Sequence, residues 1–160
     1  MKFTIRFLLL LVWVLVGLIW LIIFSRFFNN VALNKTLVNF GKVFIVICGV
    51  KVSLKNGSNI KNYTNTIIVS NHISWLDIFA IHSLGIPGIF IAKSEIKQWP
   101  ILGSLISNAG TIFIDRTNRR SIINVLETSK DLLLSGHTIV FFPEGTTSDG
   151  FKILPFHTSL

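Results

Sequence analysis

The chain has 160 residues, enough for one globular domain with an appendage. Hydrophobic residues make up 51%, high for a soluble domain, and a single cysteine excludes an internal disulfide and a cysteine-rich metal site. The formal net charge of +8, from 15 Lys and Arg against 7 Asp and Glu, asks for an anionic partner: nucleic acid, anionic lipid or an anionic substrate.

The apolar excess is concentrated at the N-terminus. Phe7 to Phe24 (FLLLLVWVLVGLIWLIIF) carries no polar side chain. As a helix it would be roughly 27 Å long, close to the ~30 Å hydrocarbon core of a bilayer. Lys2 and Arg6 resemble the basic start of a signal peptide, but the apolar run is too long and no small-residue cleavage site follows it. A retained membrane anchor is the expectation. Lys2 and Arg6 on one side and Arg26, Lys35 and Lys42 on the other leave its orientation open. Val31 to Cys48 reads as a second helix, lying against the bilayer or the first helix, or as an ordinary core segment. Cys48 sits in the apolar run Val43 to Val50 and reads as a small buried hydrophobe.

Beyond the anchor, Gly49 to Leu54 alternates apolar and polar residues and predicts a strand, followed by a turn at Asn56-Gly57. Strands are then expected at Thr66–Val69, Ile89–Ala92, Thr111–Ile114 and Thr138–Phe142. Helices are expected at Ser74–Leu84, Pro100–Asn108 and Ser121–Leu134, with Gly85, Gly110 and Gly136 after them. This alternation predicts an α/β fold: an N-terminal membrane helix, then a largely parallel sheet flanked by helices. The division is residues 1–48 as a membrane-anchoring helical region and 49–160 as the α/β domain.

In such folds ligands collect at the carboxyl ends of the strands. Three polar clusters follow strands here: SNHISWLD, DRTNRR and PEGTTSDG. In the first, His72 in the loop, Ser74 as N-cap and Asp77 in the first helical turn would let the carboxylate reach back to the imidazole. The pair then reads as a general base and its orienting carboxylate, or as a loop histidine with a residue that complements the helix dipole. No nucleophile elbow or His-Glu-x-x-His accompanies it, and no metal site is expected. His82 and His137 read as structural, and His157 has no ligand spacing. A base without an enzyme nucleophile would activate a substrate hydroxyl, which is direct group transfer.

In the second cluster, a helix starting near Arg116 would put Arg116, Arg119 and Arg120 on one face. Arg116 suits a phosphate, whereas Arg119 and Arg120 read as a solvated or membrane-facing basic surface. In the third, Gly145 and the hydroxyls of Thr146, Thr147 and Ser148 could cradle an anion. Glu144 would position a substrate hydroxyl or hold the loop. Zinc-finger spacing, an aromatic-rich RNA-binding sheet and a basic helix are all missing, so nucleic acid is set aside as a partner.

NHISWLD, GTIFIDR and FPEGTTS together resemble, in order and spacing, the first three motifs of the glycerolipid acyltransferases, nearest the bacterial 1-acylglycerol-3-phosphate enzymes. The resemblance covers Gly49 to Leu160. It implies transfer of a fatty acyl group from acyl carrier protein or a coenzyme A thioester to lysophosphatidic acid, giving phosphatidic acid, with no cofactor. It implies His72 as base, Asp77 as its partner, and Gly110, Arg116, Glu144 and Gly145 lining or shaping the acceptor-phosphate site. Thr147 stands where many members have arginine, which shifts the phosphate onto Arg116 and leaves the acceptor open. A lyso-ornithine lipid, or an inactive protein that binds anionic lipid, is the alternative. The family's fourth motif does not follow, so a C-terminally shortened chain is expected. The location expected is the cytoplasmic membrane, with the catalytic domain facing the cytoplasm.

Overall fold

A computed structural model describes residues 2–24, 30–55, 63–100 and 102–157. Two long helices come first, α1 (Lys2–Phe24) and α2 (Asn30–Cys48). The remaining elements are β1 (Thr66–Val69), α3 (Leu76–Ser83), β2 (Gly88–Lys93), a 3-10 helix (Ser94–Gln98), α4 (Leu102–Asn108), β3 (Ile112–Ile114), α5 (Arg119–Leu134) and β4 (Thr138–Phe141). The β-branched and aromatic runs TIIV, IFI and TIVF become strands because such side chains pack well on a pleated surface.

The four strands form one parallel sheet in the order β1-β4-β2-β3. Phe90, Val140 and Phe142 make its buried centre, with Ile68, Ile78 and Ile81 against them. The chain moves one way across the sheet from β1 to β2 and β3, then back from β3 to β4. Right-handed crossovers therefore put α3 and α4 on one face and α5 on the other. The packing agrees: α2 lies on α3, α1 on α2 and α4, and α5 on β3 and β4.

The two N-terminal helices join the domain through aromatic rings. Trp13 of α1 stacks on Phe40 of α2 at 5.4 Å, and its indole N–H donates to the Phe40 carbonyl at 3.3 Å. Phe44 stacks on Phe79 of α3 at 4.1 Å and meets Trp75 edge-on at 5.6 Å. The stretch Phe3–Ile23 is long and apolar enough to cross a membrane, and only 6% of it is buried within the protein.

Several sequence expectations need correction. Residues 49–54 form no strand. The Gly49 and Val50 N–H groups instead donate to Val46 and Ile45, closing the end of α2, and the Arg6 guanidinium packs over Gly49. The Asn56-Gly57 turn lies outside the described residues. The 3-10 helix was not expected. It is separated from α4 because Trp99, which precedes Pro100, is held extended at φ −68°, ψ 129°. Helix α5 starts at Arg119 rather than near Arg116, capped by Asn118, whose Oδ1 accepts the N–H groups of Arg120 and Ser121. Arg116 therefore shares no helical face with Arg119 and Arg120.

Candidate active site

Helix α3 is capped from its preceding loop. Trp75 already has helical angles (φ −57°, ψ −17°) and offers no cap, while Ser74 Oγ accepts the Leu76 N–H at 3.2 Å. Asp77, in the first turn, turns its carboxylate back over this loop. Its Oδ2 accepts from Ser74 N at 2.9 Å, Ile73 N at 2.8 Å and His72 Nδ1 at 2.8 Å. A carboxylate can only accept, so Nδ1 carries a proton, and in the neutral imidazole the lone pair is then on Nε2. The His72 and Asp77 side chains are 19% and 25% exposed, dry enough to hold the pair and open enough for a substrate. The imidazole lies flat on Phe142 at 4.2 Å, so the residue just beyond β4 is its floor.

Glu144 is 2% exposed, and its two carboxylate oxygens are divided between two backbone donors. Oε2 accepts from His72 N at 3.1 Å and Oε1 from Leu154 N at 3.2 Å. The Ser148 N–H donates to the His72 carbonyl at 2.8 Å. Of the two roles considered for Glu144, these bonds match holding the loop: it ties the His72 loop to the chain after β4.

Beside this loop an open cavity of about 320 Å³ lies over the carboxyl ends of β2, β3 and β4. Arg116, Glu144, Gly145 and Thr146 line it together with Lys93. Arg116 lies against the backbone of Gly145, where a Cβ would overlap its Nη1; with φ +69°, position 145 also disfavours any side chain. The Nε of Arg116 is buried without a partner. Asp115, next to it, is turned onto Thr117, whose hydroxyl and N–H hold its carboxyl below the usual range. Arg116 is thus left free of its neighbouring acid.

Gly110 is not part of this assembly. It sits before β3, at the opposite end of the strand, with φ +85°, and its N–H donates to Ser107 to end α4. Its backbone shape is what requires glycine there. Lys93 and Glu95, by contrast, line the cavity although neither was singled out from sequence. They follow the strand expected at Ile89–Ala92, so the strand-end rule that flagged the other three clusters also pointed to this fourth. His157 lines the cavity too, its N–H donating to the Pro143 carbonyl at 2.9 Å.

Comparisons with known proteins show which family the chain and its fold resemble. A 1-acyl-sn-glycerol-3-phosphate acyltransferase of Neisseria meningitidis is 40% identical over 128 residues, 79% of this chain and 49% of that protein. A lyso-ornithine lipid O-acyltransferase of Brucella abortus is 40% identical over 94 residues, 59% of this chain and 35% of that protein. The chain spans about half the length of the former relative. The crystal structure of the 1-acyl-sn-glycerophosphate (LPA) acyltransferase PlsC from Thermotoga maritima superposes with a TM-score of 0.73 at 26% identity, covering 99% of this chain and 68% of that one. The model of the Acyltransferase family matches residues 51–160, the stretch that holds His72, Asp77, Arg116 and Glu144, and the chain belongs to that family.

Proposed function

We propose that the protein transfers a fatty acyl group from a thioester to the free hydroxyl of lysophosphatidic acid, giving phosphatidic acid. The observation that carries this is the His72–Asp77 pair at 2.8 Å beside a cavity with an unpaired Arg116. His72 Nε2 takes the hydroxyl proton, and Asp77 steadies the imidazolium that forms. The alkoxide attacks the thioester carbonyl, the tetrahedral adduct collapses, and the thiolate leaves with the proton returned from His72. Arg116 and Lys93 meet the acceptor phosphate, with Gly145 and Thr146 shaping the wall beside it. No cofactor is required by this chemistry.

A second acceptor has an observation in its favour. Thr147 supplies no charge, and the cavity mixes Lys93, Arg116 and His157 with Glu95 and Asp115. That mixture suits a headgroup bearing both a carboxylate and an amine, as in a lyso-ornithine lipid.

Residues 1–48 serve as the membrane anchor in this reading, and residues 49–160 as the catalytic domain. Trp13, midway along α1, is packed on α2, and α2 on the domain. Helix α1 therefore packs along the domain with its outer apolar side bare, where lipid would cover it. The membrane-bound chain, assayed with labelled acyl thioester and either lysolipid, tests the whole reading. Transfer should vanish in His72→Ala, and Arg116→Ala should raise KM for lysophosphatidic acid more than kcat falls. Transfer that survives in His72→Ala removes the proposed base, and a preference for lyso-ornithine lipid moves the acceptor to the second reading.

A further inference from the structure

A second cavity lies at the other end of the sheet. Its volume is about 590 Å³, against about 320 Å³ for the one beside Arg116. Thr66, Thr138 and Gly88 are in register as the first residues of β1, β4 and β2, and Thr138 lines this cavity. From Thr138 to Phe142, the floor of His72, is roughly 13 Å at the usual rise of a strand. A ligand here would stay clear of the reacting groups.

Helix α2 forms the outer wall. Its carboxyl half meets Trp75, at the start of α3, through Phe44, so its amino end lies toward the amino ends of the strands. Asn34 and Lys35, in the second turn of α2, line the cavity there. Tyr63 and Thr64 enter from the chain before β1, and His137 and Thr138 from the turn into β4. Every one of these side chains can donate a hydrogen bond, and among the described residues the lining holds no acid. The first cavity, by contrast, mixes its cations with Glu95, Asp115 and Glu144. Among the described residues Lys35 and His137 have no ion-pair partner. Thr138 is 1% exposed, and its hydroxyl is buried without a hydrogen-bond partner. A buried donor is costly to leave unpaired, so its place in the wall of a donor-lined cavity calls for an acceptor.

An acceptor that faces a lysine, a histidine and several hydroxyls is best met by a phosphate. The volume leaves room for the glycerol that such a phosphate is esterified to. Lipid is also close. Only 6% of Phe3–Ile23 is buried within the protein, and the chain passes from the carboxyl end of α1 at Phe24 to the start of α2 at Asn30. Lys35 thus stands near the end of the lipid-covered helix, at the level where lysines reach headgroups.

We propose that this cavity binds the phosphate headgroup of an anionic glycerophospholipid. Lys35 and His137 meet the phosphate charge, and Tyr63 and Thr138 donate to its oxygens or to those of the glycerol. The bound headgroup ties α2 to the starts of β1 and β4. The site does not rest on the acyl-transfer reading above.

The test follows thermal unfolding of the full chain in dodecyl maltoside micelles, with dioleoyl phosphatidylglycerol, dioleoylglycerol or sn-glycerol 3-phosphate added. Phosphatidylglycerol at roughly 100 times its dissociation constant should raise the melting temperature by about 5–10 °C. Dioleoylglycerol should not. Lys35→Gln/His137→Gln should bind phosphatidylglycerol about tenfold more weakly. Thr138→Val removes the unpaired hydroxyl and keeps the shape, so it should melt higher than the wild type without lipid and gain less from phosphatidylglycerol. Arg119→Ser/Arg120→Ser, which removes two exposed charges at the start of α5, should keep the wild-type rise, as should Arg116→Ala. The site is overturned by no rise, by a rise that dioleoylglycerol matches, or by a full rise in Lys35→Gln/His137→Gln or Thr138→Val. An equal loss in Arg119→Ser/Arg120→Ser overturns it too, as a diffuse effect of charge. So does a loss in Arg116→Ala, which would put the lipid in the first cavity. A rise as large with sn-glycerol 3-phosphate upholds the phosphate site and gives it a soluble ester in place of a lipid.

Discussion

The two ends of α3 hold two histidines in opposite conditions. His72, in the loop before the helix, is partly exposed, bonded to a carboxylate through Nδ1, with Nε2 left over. His82, in the last turn, is 6% exposed, and its Nδ1–H donates to the Ile86 carbonyl at 3.1 Å. One aromatic row joins them: His72 stacks on Phe142, Phe142 on Phe90, and Phe90 meets His82 edge-on. In the proposed function the same side chain on the same scaffold serves as a base at one end and as packing at the other. The difference lies in the partner and the water. A carboxylate stabilises a charge that must form and vanish each turnover, whereas a buried carbonyl holds a neutral ring in place.

The largest expected effect breaks that comparison directly. His72→Ala should lower kcat by about 10²–10⁴-fold, the usual worth of a positioned base. His82→Gln should leave kcat close to wild type while lowering the melting temperature. Matching losses of kcat in both variants would mean that the row acts as one packed unit and that the base assignment is wrong.

Glu144→Gln sharpens the comparison from below His72. The amide keeps one acceptor oxygen and turns an NH₂ group toward the other buried N–H, so either His72 N or Leu154 N loses its partner. Leaving that donor unsatisfied should cost about 1–3 kcal/mol of stability. Because the freed backbone belongs to the His72 loop, kcat should fall as well, by less than in His72→Ala. Denaturation and kinetics of one preparation check both. A variant as stable as the wild type would show that the two bonds do not hold the loop.

Much of this arrangement is legible in the sequence, for physical reasons that differ by element. The strands TIIV, IFI and TIVF are short and apolar and sit between turn residues, so local pattern suffices for them. The His72–Asp77 pairing is also local, since both residues belong to one helix start. Gly49 to Leu54 misleads because alternation alone does not make a strand; a neighbour must pair with it, and none of the described strands does. Gly110 sits two residues from a strand that leads to the site, but at the wrong end of it. Arg116 and Gly145 are 29 positions apart, and their close approach depends on the order β4-β2-β3, which no window of residues contains. The carboxyl ends of the strands could be located in advance; which side chains from different strand ends touch there could not.

The smallest expected effect is a pH dependence carried by His82. Burial pushes its imidazole below the ordinary value of 6.5, and the bond to the Ile86 carbonyl offsets part of that. Below pH 6.5 the unfolded chain therefore takes up a proton at this position more readily than the folded one. By linkage, stability is unaffected by this group above 6.5 and declines as the pH falls below it, levelling off once the folded imidazole also titrates. Carboxylates and the other histidines change in the same range, so the quantity to measure is the difference in melting temperature between wild type and His82→Gln. The variant starts lower near pH 8, and the gap should narrow below pH 6.5 as the wild type loses what the variant has no group to lose. Two curves that stay parallel from pH 8 to 5 would place the proton uptake elsewhere and leave His82 as packing alone.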